Sequence, residues 1–464
     1  MVAGQRTLAG VFTRRPAVLL AAIAASLGAF TVFVLVRPLF GAGGYYGPSK
    51  VSSPYGYNWA VVALFVPYLG ALWFWSRGRA PSLGTVLAVV AVISVPLLFA
   101  PLVQSRDLYM YLFYGKMQAV HAANPYVVLP QSFGNDPWFG YVTWPRATSA
   151  YGPLWSLVSA GVVAVSRGQL IAAFFLEKGV ALATGGAAVW GLATATREAP
   201  EETSPTPALA VAAFALNPLV VSTVALGGHA DAAVAACFAW AVVTDRRRHP
   251  IATTLLLAAA TLVKAYAAAA LLVYLMVRWR RDRPSRALVS AGMAALTVGA
   301  YAPYWSGSET FRAFVSLSGA TSGSLAGAVQ RWISSALSAV GVDRPDHAAS
   351  AAVRAIGCAV VLLILWRVAR SPRTVPEPWR AAGLVLGAFF LVSPWYLPWY
   401  AVSLLPLVLV AGDPALTAGT LVFTGTSLWT LGGSSPGLLG PTAQAIGRYG
   451  VPVVAYRSGH RALR

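Results

Sequence analysis

This chain is poor in acid. Only 14 of its 464 residues are Asp or Glu, against 34 Lys and Arg, and charged residues of both signs make up 10% of it. An average soluble domain carries roughly 25% charge, so an ordinary soluble surface is excluded. Cysteine is nearly absent too. Cys237 and Cys358 both lie inside apolar runs, which argues against a disulfide framework. Hydrophobic residues make up 57% of the chain. Apolar runs recur at about 20 residues, the length that crosses about 30 Å of hydrocarbon. Residues 17–36, 83–103 and the shorter run 59–75 contain no charge at all. The composition predicts an all-α, polytopic integral membrane protein.

A net charge of +20 would point to nucleic acid in a soluble protein, but here the arginines stand in short segments between apolar runs. The clusters are Arg14-Arg15, Arg77/Arg79, Arg246-Arg247-Arg248, Arg278 to Arg286, Arg367 to Arg380 and the Arg457/Arg461/Arg464 tail. The positive-inside rule places such segments in the cytoplasm, where anionic headgroups attract them. No nucleic-acid partner is expected. The first apolar run is preceded by Arg14-Arg15 like a signal peptide, yet its length and the many runs after it make it a retained helix.

Threading the chain by that rule predicts helices near 17–36, 59–75 and 83–103, leaving 104–150 outside. Residues 206–225 run outward and 231–243 return. Residues 251–277 begin and end beside cytoplasmic arginines with Lys264 between, which predicts two short helices meeting at Lys264 on the outer side. Further spans are expected near 287–303, 349–366, 382–394, 398–411, 415–431 and 440–456, with 304–348 a second outer loop and an apolar piece near 329–341 lying along the interface. Parity demands an odd number of crossings over 152–195, whereas hydropathy suggests two. The total is about 13 helices in one domain over 1–464, with no internal repeat.

At 47 residues, loop 104–150 is longer than a connector needs to be, and such loops are usually functional or disordered. Its Tyr, Trp and Phe content argues against disorder. Leu108, Met110 to Leu112, Met117 and Val120 form an apolar stripe, so 107–122 is expected to be a helix on the outer leaflet, broken by Asn124-Pro125. Trp138, Trp144 and Tyr151 have rings suited to headgroup depth and are anchors on the simplest reading.

Asp107, directly after an apolar run, has two readings. It is a helix cap, or it is a general base within reach of a hydroxyl at the membrane surface. On this topology Glu177, Glu198, Glu201, Glu202, Asp245, Asp282, Glu377 and Asp413 fall toward the cytoplasm. Asp107 then shares the outer face with Asp136, Asp231, Glu309, Asp343 and Asp346. In Gly227-Gly228-His229-Ala230-Asp231, His229 and Asp231 either start a capped helix or bind a substrate hydroxyl; two such ligands alone do not make a metal site. Lys264 and Arg106 place positive charge on the outer face, where phosphate is a suitable partner.

The pattern Asp107-Leu-Tyr with Tyr111 and Gly115, Asn124-Pro125-Tyr126 and Tyr151-Gly152-Pro153-Leu154-Trp155 resembles the actinobacterial polyprenol-phosphate-mannose-dependent α-(1→6)-mannosyltransferases. These are GT-C integral-membrane glycosyltransferases. Asn217-Pro218-Leu219, Gly228-His229 with Asp231, the helix pair around Lys264 and Ser393-Pro394-Trp395-Tyr396-Leu397-Pro398-Trp399 extend the likeness to residue 400. The motif in this family commonly carries a polar residue where this chain has Ala230.

The resemblance implies a GT-C-type bundle at the plasma membrane that transfers mannose on its outer face. The donor would be polyprenyl-phosphate mannose and the acceptor a mannan on a lipoglycan of the lipomannan type. Asp107 would be the catalytic base, with Arg106 and Lys264 on the donor phosphate. The substrate-binding set would be Tyr109, Lys116, His121, Asn124, Tyr126, Tyr151, His229, Asp231, Trp395, Tyr396 and Trp399. No cofactor and no metal are expected. Two alternatives stay open: a transferase of another sugar or acceptor (arabinosyl, glucosyl or protein O-mannosyl), and a lipid-linked glycan transporter or flippase. A transporter would place its polar groups near the midplane, often in repeated halves, whereas here they gather at one face.

Overall fold

The structure, a computed structural model, describes residues 16–36, 54–199, 205–278, 286–313, 324–370 and 378–428, with Tyr46, Pro452 and Val454. The expected span 440–456 lies outside the described residues apart from those last two positions. So do Arg14-Arg15, the Arg457/Arg461/Arg464 tail, Glu201, Glu202, Asp282 and Glu377.

Among the described residues the regular structure is helical. The first three helices are α1 (Pro16–Val36), α2 (Pro54–Trp75) and α3 (Leu83–Leu98), the last capped by the Ser82 hydroxyl on the Thr85 N–H. Next come α4 (Asp107–Ala119), α5 (Pro153–Val165) and α6 (Leu170–Arg197). Beyond α7 (Pro207–Ala215) the Asn217 side chain caps a new turn at Pro218, which runs into a π-helical segment, Val221–Ala225. The two pieces of this span are bent by 49°. Then follow α8 (Asp231–Arg246), α9 (Pro250–Val263), α10 (Ala268–Arg278) and α11 (Arg286–Tyr301). The chain closes with α12 (Leu325–Ala339), α13 (Pro345–Arg370), α14 (Pro378–Val392), α15 (Ala401–Leu409) and α16 (Pro414–Leu428).

Four described helices are long and apolar enough to cross a membrane, five if the bent pair counts as one span, and further apolar helices are shorter. The protein is thus a helical membrane protein. Two ends of the bundle can be told apart. Arg246, at the end of α8, donates to the carbonyl of Ala195 in α6 and, at 3.4 Å, to that of Val410 after α15. The Arg246–Arg248 cluster and the last turns of α6 and α15 therefore share one end, the arginine end. The start of α8, with His229 and Asp231, is at the other.

Region 152–195 holds two helices of unequal length. At 13 residues α5 is about 20 Å long by its rise per residue, and it packs along α4. Only α6, with 28 residues, has crossing length there. Hydropathy suggested two crossings because it sees how apolar α5 is but not the helix that covers it.

Glu177 is also corrected. Its neighbour Lys178 donates to the Leu97 and Ala100 carbonyls at 2.6 and 2.8 Å, at the end of α3 from which the chain enters loop 104–150. Glu177 therefore lies toward the site end rather than the arginine end. It is fully buried and accepts from the Ser159 hydroxyl of α5 at 2.8 Å.

Asn217 ties the bent span down. Its amide donates to Tyr68 Oη of α2 at 3.2 Å and to Thr424 Oγ1 of α16 at 3.0 Å, while its Oδ1 accepts the Leu219 N–H. Such a fully satisfied network keeps a buried amide from being a liability.

Candidate active site

Three chain breaks bring the site together. The first is the entry to α4, where Asp107 is the first helical residue. Arg106 occupies the cap position and makes no side-chain capping bond. The second is the turn before α8. Gly228 holds φ at +65°, the left-handed region that glycine enters without cost. A Cβ there would also come within 2.5 Å of the Leu108 side-chain end, so positive φ and close approach to α4 together favour glycine. The third is the break between α9 and α10. Lys264 is extended (φ −145°, ψ 125°), and the N–H of Gly152 donates to the Val263 carbonyl beside it at 2.9 Å. A Cβ at Gly152 would sit 2.0 Å from the Leu262 carbonyl oxygen, so this approach also requires glycine.

At their junction, Asp107 Oδ2 lies 3.9 Å from His229 Nδ1. The Tyr111 hydroxyl reaches the same nitrogen at 3.5 Å. The His229 ring stacks on Trp399, centroids 4.3 Å apart. Trp399 Nε1 is buried without a partner among the described residues. Lys264 Nζ donates to Asp231 Oδ2 at 2.7 Å and sits 4.7 Å from the centre of the Tyr400 ring and 5.9 Å from that of Tyr151. Tyr266 donates to the other Asp231 oxygen at 2.6 Å. Tyr151 packs edge-on against Tyr111 at 4.6 Å. One acid and one base are thus locked in a buried pair, and a second acid stands beside them without a tight cation.

The electrostatics follow from that layout. Burial pushes the Asp107 carboxyl above its ordinary value, an effect reduced by Lys264 and by a bond from Ser105, reinforced by the negative charge of Asp231, and offset again by Tyr151. His229, in the turn before α8, is held well below the usual histidine range by burial and by the Lys264 charge. It is therefore neutral at pH 7.

The other predicted residues divide. Arg106 stands over the Tyr109 ring at 5.8 Å, with one guanidinium nitrogen buried and unpartnered among the described residues. Tyr109 is packed between Tyr141 and Phe174 and donates to the Tyr46 carbonyl. Lys116 and His121 do not join Asp107. Both bind Asp136 at 2.8 Å, and Lys116 Nζ lies 4.3 Å from the centre of the Trp138 ring. Nine residues along α4 place Lys116 about 13 Å from Asp107 by the helical rise.

Asn124 bonds the Tyr304 carbonyl and the Ser306 hydroxyl, and Tyr126 donates to the Tyr151 carbonyl. Both tie the loop together beside the site. Trp395 is half-buried, whereas Tyr396 is buried among Phe390, Tyr400 and Phe423. The expected platform of Trp395, Tyr396 and Trp399 thus presents only Trp399 against His229. Tyr266 and Tyr400 went unnoticed in the sequence. Two tyrosines among 19 carry no signal until Asp231 and Lys264 are seen to touch them.

Residues 8–280 match the N-terminal domain of the alpha-(1->6)-mannopyranosyltransferase family. The chain belongs to this family. A probable alpha-(1->6)-mannopyranosyltransferase of Mycolicibacterium smegmatis is similar to it, 27% identical over 405 residues that cover 75% of this chain and 68% of the relative. An alpha-(1->6)-mannopyranosyltransferase domain makes the chain a membrane-embedded glycosyltransferase with a mannosyl substrate. The match includes all three breaks of the site and ends after α10.

Proposed function

We propose that the chain transfers mannose from polyprenyl-phosphate mannose to the 6-hydroxyl of an α-mannan on a lipoglycan, at the outer face of the plasma membrane, with inversion at C1. Asp107 is the general base. The observation that carries this reading is the division of labour between two acids: Asp231 has both oxygens engaged by Lys264 and Tyr266, while Asp107 has no tight cation partner.

In the reaction the acceptor oxygen attacks C1, and its proton passes to Asp107. The bond from C1 to the phosphate oxygen breaks, and the polyprenyl phosphate leaves with the electron pair. Lys264 meets the charge that develops on the phosphate, a form of preorganised electrostatic stabilisation. Arg106, with a free guanidinium nitrogen, is the second phosphate cation. Asp231 positions Lys264 rather than binding sugar, because its carboxylate is buried and occupied. Neutral His229 orients the acceptor between Asp107 and Tyr111, and its lowered pKa makes it a weaker base than an ordinary histidine.

The test is transfer of labelled mannose from the polyprenyl donor to a short α-(1→6)-mannoside by the purified protein. Glucosyl or arabinosyl donors turned over faster than mannosyl would replace the sugar assignment. Labelling of a cysteine placed at Asn135 only after cell lysis would reverse the orientation.

A further inference from the structure

A groove of about 560 Å³ runs between α3 and α6 and is floored by the bent span, whose Val224 carbonyl accepts the Gly228 N–H of the site's turn. Its walls are Leu87, Val90 and Val95 of α3 and Leu182, Val189 and Trp190 of α6, and its floor includes Phe214 and Val224. It is open sideways: Leu87, Val95 and Trp190 are 39%, 52% and 66% exposed, apolar surface that faces lipid in a membrane bundle. Gly186 adds no side chain to the groove, and a Cβ there would meet nothing within 4 Å.

The two ends differ. Toward the site end α3 and α6 are clamped together by Lys178, whose ammonium binds the Leu97 and Ala100 carbonyls. Phe99 and Phe175, 5.8 Å apart, pack over the same junction. Toward the arginine end the groove runs out to Leu83 and to Arg197, which is exposed and makes no hydrogen bond or ion pair among the described residues. Its neighbour Glu198 is taken by Arg247 at 2.6 Å, so the local acid does not neutralise it.

From this asymmetry we infer that the groove holds one acyl chain of an anionic glycerophospholipid from the cytoplasmic leaflet, with the headgroup phosphate on Arg197. The positive-inside rule puts the arginine end in the cytoplasm, where the anionic lipids are. From Leu83 to Val95 the groove is about 18 Å deep by the helical rise, close to one leaflet of a core about 30 Å thick. At the opposite end the Lys178 bonds join α3 to α6 beyond Val95 and Leu182.

The probe is a phosphatidylglycerol carrying a diazirine on its acyl chain, compared with the matching phosphatidylcholine, in vesicles containing the full-length protein. Cross-links from phosphatidylglycerol should concentrate in 83–95 and 182–197 and exceed those from phosphatidylcholine by about fivefold, the factor equivalent to one basic residue near the surface. Arg197→Gln should erase that preference. Gly186→Phe, which fills open space rather than striking backbone, should reduce labelling by both lipids there while leaving the exposed face of α13 labelled as before. Each variant is checked for a monodisperse elution profile and unchanged mannosyl transfer, so a failed fold is distinguished from a lost lipid. Even labelling of all lipid-facing helices, or equal labelling by the two lipids, would overturn the inference. So would displacement of the label by polyprenyl phosphate at lower concentration than by unlabelled phosphatidylglycerol, which would give the groove to the donor.

Discussion

Asp107 and His229 meet at 3.9 Å where the first turn of α4 faces the turn that opens α8. Neither has a strong partner of its own. Asp107 is kept from Lys264 by the claim of Asp231 on that ammonium, and His229 is kept neutral by burial and by the same ammonium. A carboxylate and a neutral imidazole, side by side beside a fixed cation, suit a hydroxyl that must be oriented and then deprotonated.

Asp107→Asn should lower transfer by at least about 10²-fold, since a general base typically contributes 10²–10⁴. The amide is nearly isosteric, so thermal unfolding of the detergent-solubilised protein should change little. Near-normal turnover in the labelled-donor assay would show that Asp107 serves only its helix.

The raised Asp107 carboxyl sets a pH dependence. A base must be ionised to act, so kcat/KM should rise with pH through that value and flatten above it. The acidic limb should therefore lie above the ordinary aspartate range of about 3.9. A profile of initial rates, with Asp107→Asn as the control that lacks the limb, checks this.

Lys264→Met should cost about 10²-fold or more in kcat, as loss of a preorganised donor to developing charge does. Asp231→Asn should resemble it, because the lysine then loses its anchor. Tyr266→Phe removes one bond to a charged acceptor, worth about 1.5–3 kcal/mol. It should give an intermediate loss. If Asp231→Asn raises KM for the acceptor but spares kcat, Asp231 binds sugar after all.

The Lys116–Asp136–His121 cluster predicts a loss of order without a loss of chemistry. Burial raises the Asp136 carboxyl, but bonds from Lys116, the Trp138 N–H and His121 outweigh it and bring it below the ordinary value. That stability is complete above the unfolded aspartate value and is lost as pH falls through the lower folded one. Asp136→Ala should make loop 104–150 more sensitive to protease by weakening bonds worth about 2 kcal/mol. The pH limb assigned to Asp107 should not move.

Much of the helical plan was legible. The break at Lys264 followed from a charge in the middle of an apolar run flanked by arginines, and the structure has its helix boundary there. A helix does begin at Asp107, ending at Ala119 rather than at 122, but residues 108–117 are all buried, so it packs inside the protein and lacks the exposed face that an apolar stripe implied. The fate of α5 was not legible. Hydropathy sees its 13 apolar residues, whereas only the structure shows that they pack along α4. Glu177 was misplaced for the same reason, since its side of the membrane depends on which preceding helix crosses.

At the site, the sequence by itself determined the scarce ingredients: few acids, Lys264 in an apolar run flanked by arginines, and the Gly227-Gly228-His229 and Tyr151-Gly152-Pro153 motifs. Composition makes a carboxylate conspicuous in a chain this apolar. Only the tertiary structure decided their roles. It gave Lys264 and Tyr266 to Asp231, Lys116 and His121 to Asp136, and left Asp107 facing His229. The pairing of charges depends on distances of a few ångströms between residues far apart in sequence, and in a low-dielectric interior those distances fix which acid is bound and which can act.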